Sequence, residues 1–206
     1  MIPVKEKEIL KKLLHESKNN VKITAIISSK HQMFDLFMNF ISELKQIRES
    51  LVDVIIIDDP KTVSQYLDVF ILPAFIISGR DVKVKFYDLP IGLEMIMFID
   101  ALSAIINEPD IKPIKNLKNV TIKILVSPTC SLCIPVMRIV TKFAMLSENC
   151  TIEILDVLEN AKLLERHGIL TVPVIMINDD ILYANLNEEE IISFLTKHLF
   201  SSPFEK

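Results

Sequence analysis

The 206-residue sequence has only three cysteines, too few for the disulfide framework of a small secreted scaffold. It has no surplus of either charge. The 23 Lys and Arg against 27 Asp and Glu leave a net charge of -4, with the signs interspersed, so there is no basic face for nucleic acid and no charged tail. Its apolar runs are too short and too interrupted to cross a bilayer. The opening stretch MIPVKEKEILKKLLHESK is charged throughout, unlike a signal peptide. These absences lead us to expect a cytoplasmic protein with no nucleic-acid or membrane partner. What is present is apolar material: half of the residues are hydrophobic, enough for a substantial core in one large domain or two small ones.

The sequence repeats itself with a period near one hundred residues. NVKITAIIS (residues 20–28) and NVTIKILVS (119–127) share Asn, Val, Ile and Ser at one offset, and both are β-branched runs of strand length. Each is expected to form a buried central strand. A helical pattern follows each, with Phe34, Phe37, Met38 and Ile41 in the first copy and Cys133, Met137, Val140 and Ala144 in the second. Next come VDVIIID with PKTVSQYLDVF, and CTIEILDV with ENAKLLERHG. Pro73 and Pro173 then enter the apolar strands of ILPAFIIS and TVPVIMIN, and each copy closes on a short extended run and a final helix. The order strand, helix, strand, helix, strand, strand, helix predicts an α/β fold with parallel pairing at the start of each half. The polar stretch NEPDIKPIKNLKN is the expected junction, which divides the chain into units 1–110 and 111–206.

The second copy alone carries chemistry at the first strand-to-helix turn, in SPTCSLCIP. Cysteines at i and i+3 across a helix start can join within one turn. Cys130, ahead of the helix, faces its unpaired amides and the positive end of its dipole, which stabilise a thiolate. Such placement lowers a cysteine pKa from about 8.5 into the range of roughly 3.5 to 7.5. Cys133, one turn in, is expected to be less exposed and to act second. Pro135 suits a first helical turn, where its missing amide hydrogen has no partner to lose.

Other residue types read more plainly. CxxC is also half of a structural zinc site, but Cys150, His167 and His198 show no knuckle spacing to complete one, and no metal is expected. Cys150 reads as a packed or partly exposed thiol. His31 and Phe34 occupy the places of Cys130 and Cys133 in the first copy, a turn residue over a core phenylalanine with no thiol chemistry. His15 and His198 fall on charged helices as surface residues, and His167 precedes a helix-stopping Gly168.

This element order, with CSLC at the first turn and Val172-Pro173 about forty residues on, resembles the thioredoxin fold. Two such units in a chain of this length, together with YDLPIGLEM before the last helix of the first half, are similar to the glutaredoxin-like protein disulfide oxidoreductases. They also resemble the related N-terminal module of the alkyl hydroperoxide reductase flavoprotein. The resemblance implies two tandem thioredoxin-like units, each a mixed central sheet flanked by helices, and a thiol-disulfide oxidoreductase that uses Cys130 and Cys133 without a cofactor. It further implies substrate contacts from Thr129, Ser131, Leu132, Val172 and Pro173, with a cis bond at Val172-Pro173. The implied partners are protein disulfides, with a flavin-dependent thioredoxin-reductase-like enzyme or a peroxiredoxin as a further candidate. Two departures bear on mechanism. Thioredoxins carry a buried acid where this chain has Ile124, and DDILYANLNEEE lacks the glycine pair of glutathione-dependent glutaredoxins. A non-catalytic interaction scaffold, with the CxxC idle or holding metal, stands as the alternative.

Overall fold

The computed structural model of the chain describes residues 2–16, 21–67, 71–79, 82–107, 120–147, 150–158, 161–183 and 187–199. Residues 108–119, which hold nearly all of the expected junction and the 110/111 boundary, lie outside the described residues. An amphipathic helix α1 (Val4–Glu16) precedes the first copy of the repeat. That copy runs β1 (Lys22–Ile27), α2 (Phe34–Ile47), β2 (Val52–Ile56), α3 (Pro60–Val63), β3 (Ala74–Gly79), β4 (Val82–Tyr87) and α4 (Leu93–Ile106). The second runs β5 (Thr121–Val126), α5 (Cys133–Ala144), β6 (Thr151–Asp156), α6 (Ala161–His167), β7 (Val174–Ile177), β8 (Asp180–Tyr183) and α7 (Glu188–Leu199).

The two expected sheets are one. Among the described residues eight strands lie in the order β2-β1-β3-β4-β6-β5-β7-β8, and the halves meet where β4 pairs in parallel with β6, from Lys83 opposite Thr151 to Tyr87 opposite Leu155. In each half the first strand pairs in parallel with the second and antiparallel with the third. The matching strands β1 and β5 show the same succession of exposed and buried residues, as their near-identical sequences require. Only β3 and β7 run against the other six strands. The C-terminal ends of β1, β4, β5 and β6 and the N-terminal ends of β3 and β7 therefore share one end of the sheet. The peptide bonds Leu72-Pro73 and Val172-Pro173, just ahead of β3 and β7, are both cis.

The larger core fills one face of the sheet beneath the long helices. Its centre in the first half is aromatic: Phe75 stands 4.9 Å from Phe37 and 5.4 Å from Phe98, ring centre to ring centre. On α5 the buried stripe holds Cys133, Met137, Val140 and Ala144, as the spacing predicts, and also Val136 and Thr141. On α2 the fully buried positions are Phe37, Phe40, Ile41 and Leu44, while Phe34 and Met38 are half-buried along the margin of the stripe. The smaller core, with Ile26, Tyr87, Leu125 and Leu155, lies on the other face.

Charge is buried where the halves join. Glu153 on β6 is fully buried. It accepts a 2.9 Å hydrogen bond from the Tyr87 hydroxyl, lies 3.4 Å from Lys85 on β4 and has Lys123 of β5 at 3.9 Å. A carboxylate taken out of water needs such partners, because desolvation costs several kcal/mol, about the size of what a good pair returns. On the helical face Arg138 of α5 donates to both oxygens of Asp100 on α4, at 2.7 and 3.4 Å.

Candidate active site

Cys130 and Cys133 are joined in a disulfide, with their Cα atoms 5.4 Å apart. The loop from Ser127 folds in two successive turns, with the Cys130 amide donating to the Ser127 carbonyl at 3.0 Å and the Cys133 amide to the Cys130 carbonyl at 3.3 Å. The Ser127 hydroxyl accepts from the Thr129 amide at 3.3 Å and meets the Thr129 hydroxyl at 3.1 Å, which braces the turn. No side chain of Leu132, the residue at the helix cap, bonds back to α5. The first amide of the helix instead donates to Sγ of Cys130 at 3.1 Å. The sulfur thus occupies the place of a capping oxygen, at the positive end of a twelve-residue helix. Cys130 is half-buried and Cys133 fully buried, so an incoming sulfur can reach only the former.

Of the other expected site residues, Thr129, Ser131 and Leu132 are exposed on the same loop. Val172 is half-buried and Pro173 buried. Because β7 runs antiparallel beside β5, with Val174 opposite Leu125, Val172 and Pro173 reach the end of the sheet from which the disulfide loop departs. Cys130 and Val172 both pack on the larger core.

A buried carboxyl absent from the sequence reading is supplied by the first half. The amide of Leu93 at the start of α4 donates to the Pro128 carbonyl at 3.0 Å, two residues before Cys130. Gly92 has φ +53°, and a Cβ there would stand 2.8 Å from the same oxygen, so the approach requires glycine. Glu94 follows directly and is buried. Burial, and then the charges of Asp156 and Asp88, push its carboxyl up to about 9, so it keeps its proton at neutral pH. It was hidden in the run LEMIMFIDAL, which reads as core, and it stands on α4, not at Ile124 of β5, where thioredoxins carry their buried acid.

The matching place in the first half is built alike but carries no thiol. The His31 amide donates to the Ser28 carbonyl at 3.1 Å, the Phe34 amide to the His31 carbonyl at 3.0 Å, and Nδ1 of His31 accepts from the Met33 amide at 3.2 Å. Asp58 ties this loop down by accepting from the hydroxyls of Ser28 and Ser29 and from the Ser29 amide, and these bonds hold its carboxyl below the usual range. Cys150 is packed, its thiol pushed up to about 12 by burial, which makes it unreactive at neutral pH. His198, expected at the surface, is instead largely covered by its neighbours, with Nε2 3.1 Å from Oδ2 of Asp180. Among the described residues no helix is long and apolar enough to cross a membrane.

A cis-proline at the end of the sheet where a CxxC starts a helix, on a sheet of this topology, defines a thioredoxin-fold protein. Residues 120–196 match a thioredoxin domain family, Thioredoxin_3. No curated protein sequence matches the chain. Among solved structures, the chain is similar to the N-terminal domain of the alkylhydroperoxide reductase AhpF from Enterococcus faecalis. The TM-score is 0.77 and the identity 17%, over 95% of this chain and all of that one. It is also similar to a protein disulfide oxidoreductase from Aeropyrum pernix K1, with a TM-score of 0.70 and 15% identity, over 95% of this chain and 92% of that one. Sso1120 from Sulfolobus solfataricus follows at a TM-score of 0.58 and 18% identity, over 84% of this chain and 96% of that one.

Proposed function

We propose that the chain is a thiol-disulfide oxidoreductase that acts on protein disulfides through Cys130 and Cys133. The observation that carries this reading is the placement of the two sulfurs: Cys130 half-exposed on the helix amide, Cys133 buried directly behind it. In the reduced protein the Cys130 thiolate attacks one sulfur of a substrate disulfide, forms a mixed disulfide and releases the first substrate thiolate. The Cys133 thiolate then attacks Sγ of Cys130, restores the Cys130-Cys133 bond and releases the second. Two electrons pass to the substrate, the protein ends oxidised, and a dithiol reductant reopens the pair. The backbone of Val172 stands at the same end of the sheet to hold an extended substrate. Thr129, Ser131 and Leu132 form the exposed lip around the reactive sulfur.

The division into a unit without CxxC at 1–110 and an armed unit at 111–206 belongs to this proposal, as does a cytoplasmic location. So does a flavin-dependent thioredoxin-reductase-like enzyme or a peroxiredoxin as redox partner. The likeness to the Enterococcus AhpF domain supports that choice of partner. In the test, the protein accelerates reduction of insulin disulfides by dithiothreitol, Cys130→Ser does not, and Cys133→Ser accumulates a mixed disulfide with an insulin chain. Full activity in Cys130→Ser would overturn the reading.

A further inference from the structure

The end of the sheet that bears the disulfide has a second opening, at Leu72. Leu72 leads into β3 as Val172 leads into β7. Among the described residues, neither the amide nor the carbonyl of Leu72 or of Val172 has a hydrogen-bond partner within the protein. Backbone groups left half-covered and unpaired are a template for an added strand. Beside Leu72 lies a cavity of about 420 Å³ whose apolar wall is Met33, Ile57, Ile71 and Leu72 and whose other wall is polar, with Lys30, Asp58 and Asp88 on it. No thiol stands over it, so this opening can hold a chain but cannot exchange sulfur with it.

The two openings are placed to be used together. β3 and β7 are four strand steps apart in one sheet. At the usual spacing of about 4.8 Å that is roughly 19 Å, which an extended chain covers in about six residues. The loops leaving the intervening strands β4 and β6 at this end carry Ile91 and Leu158, which are 53% and 68% exposed. At the armed opening Leu132 is 57% and Leu170 93% exposed. With Val4, these four are the most exposed large hydrophobic residues among those described. Apolar surface is therefore concentrated on the path between the openings.

We infer that the opening at Leu72 is a second subsite for the polypeptide whose disulfide is attacked by Cys130: an extended apolar arm of that substrate pairs with the Leu72 backbone and seats a side chain between Met33, Ile57 and Ile71. The inference rests on the oxidoreductase reading and narrows its substrate class to disulfides carried on extended polypeptide, as opposed to compact small disulfides.

The test uses cysteine peptides held as mixed disulfides with thionitrobenzoate, whose release is coloured, and reduced full-length protein. The peptides carry an arm of two or of twelve residues of alternating valine and glutamine, on the N-terminal or the C-terminal side of the cysteine. On one side the twelve-residue arm should raise the second-order rate constant about tenfold over the two-residue arm. Ile71→Asp should remove that gain and leave the short-arm rate unchanged, and a cysteine-free copy of the arm should slow only the long peptide. Met33→Lys provides the same reading should Ile71→Asp fail to fold. Equal rates for both lengths, or a gain that survives these substitutions, would overturn the inference and leave the oxidoreductase reading standing. Failure of every peptide to react would overturn both.

Discussion

The amide of Leu93 and the carbonyl of Pro128 meet at 3.0 Å, and through this bond the start of α4 in the first half holds the loop that carries the reactive disulfide in the second. The close approach depends on Gly92, which has a positive φ and no room for a Cβ. Gly92→Ala should therefore cost about 1–3 kcal/mol in urea unfolding, the range for strain at a special backbone position. It should also slow disulfide exchange, because Pro128 must move and Cys130 is two residues away. A variant as stable and as fast as the parent would show that the loop does not depend on this support.

The paired cysteines should separate by reactivity. After reduction, iodoacetamide should modify Cys130 in the Cys133→Ser variant much faster than Cys133 in the Cys130→Ser variant, since Cys133 is fully buried. The Cys130 rate should level off below the ordinary thiol range as pH rises, because the helix amide at 3.1 Å favours the thiolate. Faster alkylation of Cys133 would reverse the assignment of attacking and resolving sulfur.

Glu94 gives stability a defined pH dependence. Its carboxyl is raised to about 9 in the folded chain from an ordinary value of 4.5, so between those values the native state holds a proton that the unfolded state has lost. Its contribution is fully present below about pH 4.5 and is lost as pH rises towards 9. Glu94→Gln removes the titration, so the variant should gain stability over the parent as pH rises, by at most about 1.4 kcal/mol per pH unit within that window. Chemical denaturation at several pH values measures it, and a difference that does not change between pH 5 and 8 would contradict the raised carboxyl.

The joint between the halves should be sensitive to loss of one partner and tolerant of loss of both. Lys85→Ala leaves Glu153 buried without its nearer cation and should cost about 3–5 kcal/mol. Lys85→Met combined with Glu153→Leu should recover most of that loss. Thermal unfolding of the two variants makes the comparison, and equal destabilisation in both would mean that packing, not charge, holds this part of the sheet.

The fold was legible because the repeat brought its own register: KITAII and TIKILV share one burial pattern, and the α5 stripe fell on the residues that the spacing named. The disulfide was legible from CSLC because chemistry and spacing sit in one local segment. Two features were not. The fusion of two sheets into one depends on β4 and β6 pairing across 68 residues of chain, and KVKFY and TIEILD carry no mark of each other except Lys85 and Glu153, opposite charges at buried positions of the two strands. Glu94 was hidden for a similar reason. A helical pattern says that a position is buried, but not that the loop from the other half lies over it.

The parallel pairing of β4 with β6 also bears on how the chain avoids others like itself. Two separate four-stranded sheets of this order would have four outer strands, β2, β4, β6 and β8, whereas among the described residues the joined sheet has two, β2 and β8. An open edge is a template for pairing between molecules, and β6 would be a poor one to expose, with Ile152, Ile154 and Leu155 along it. Shedding the thiol-free half would turn an interior strand of the armed half into such a template. Without any thiol of its own, that half still serves the armed one, as the cover over an apolar strand edge.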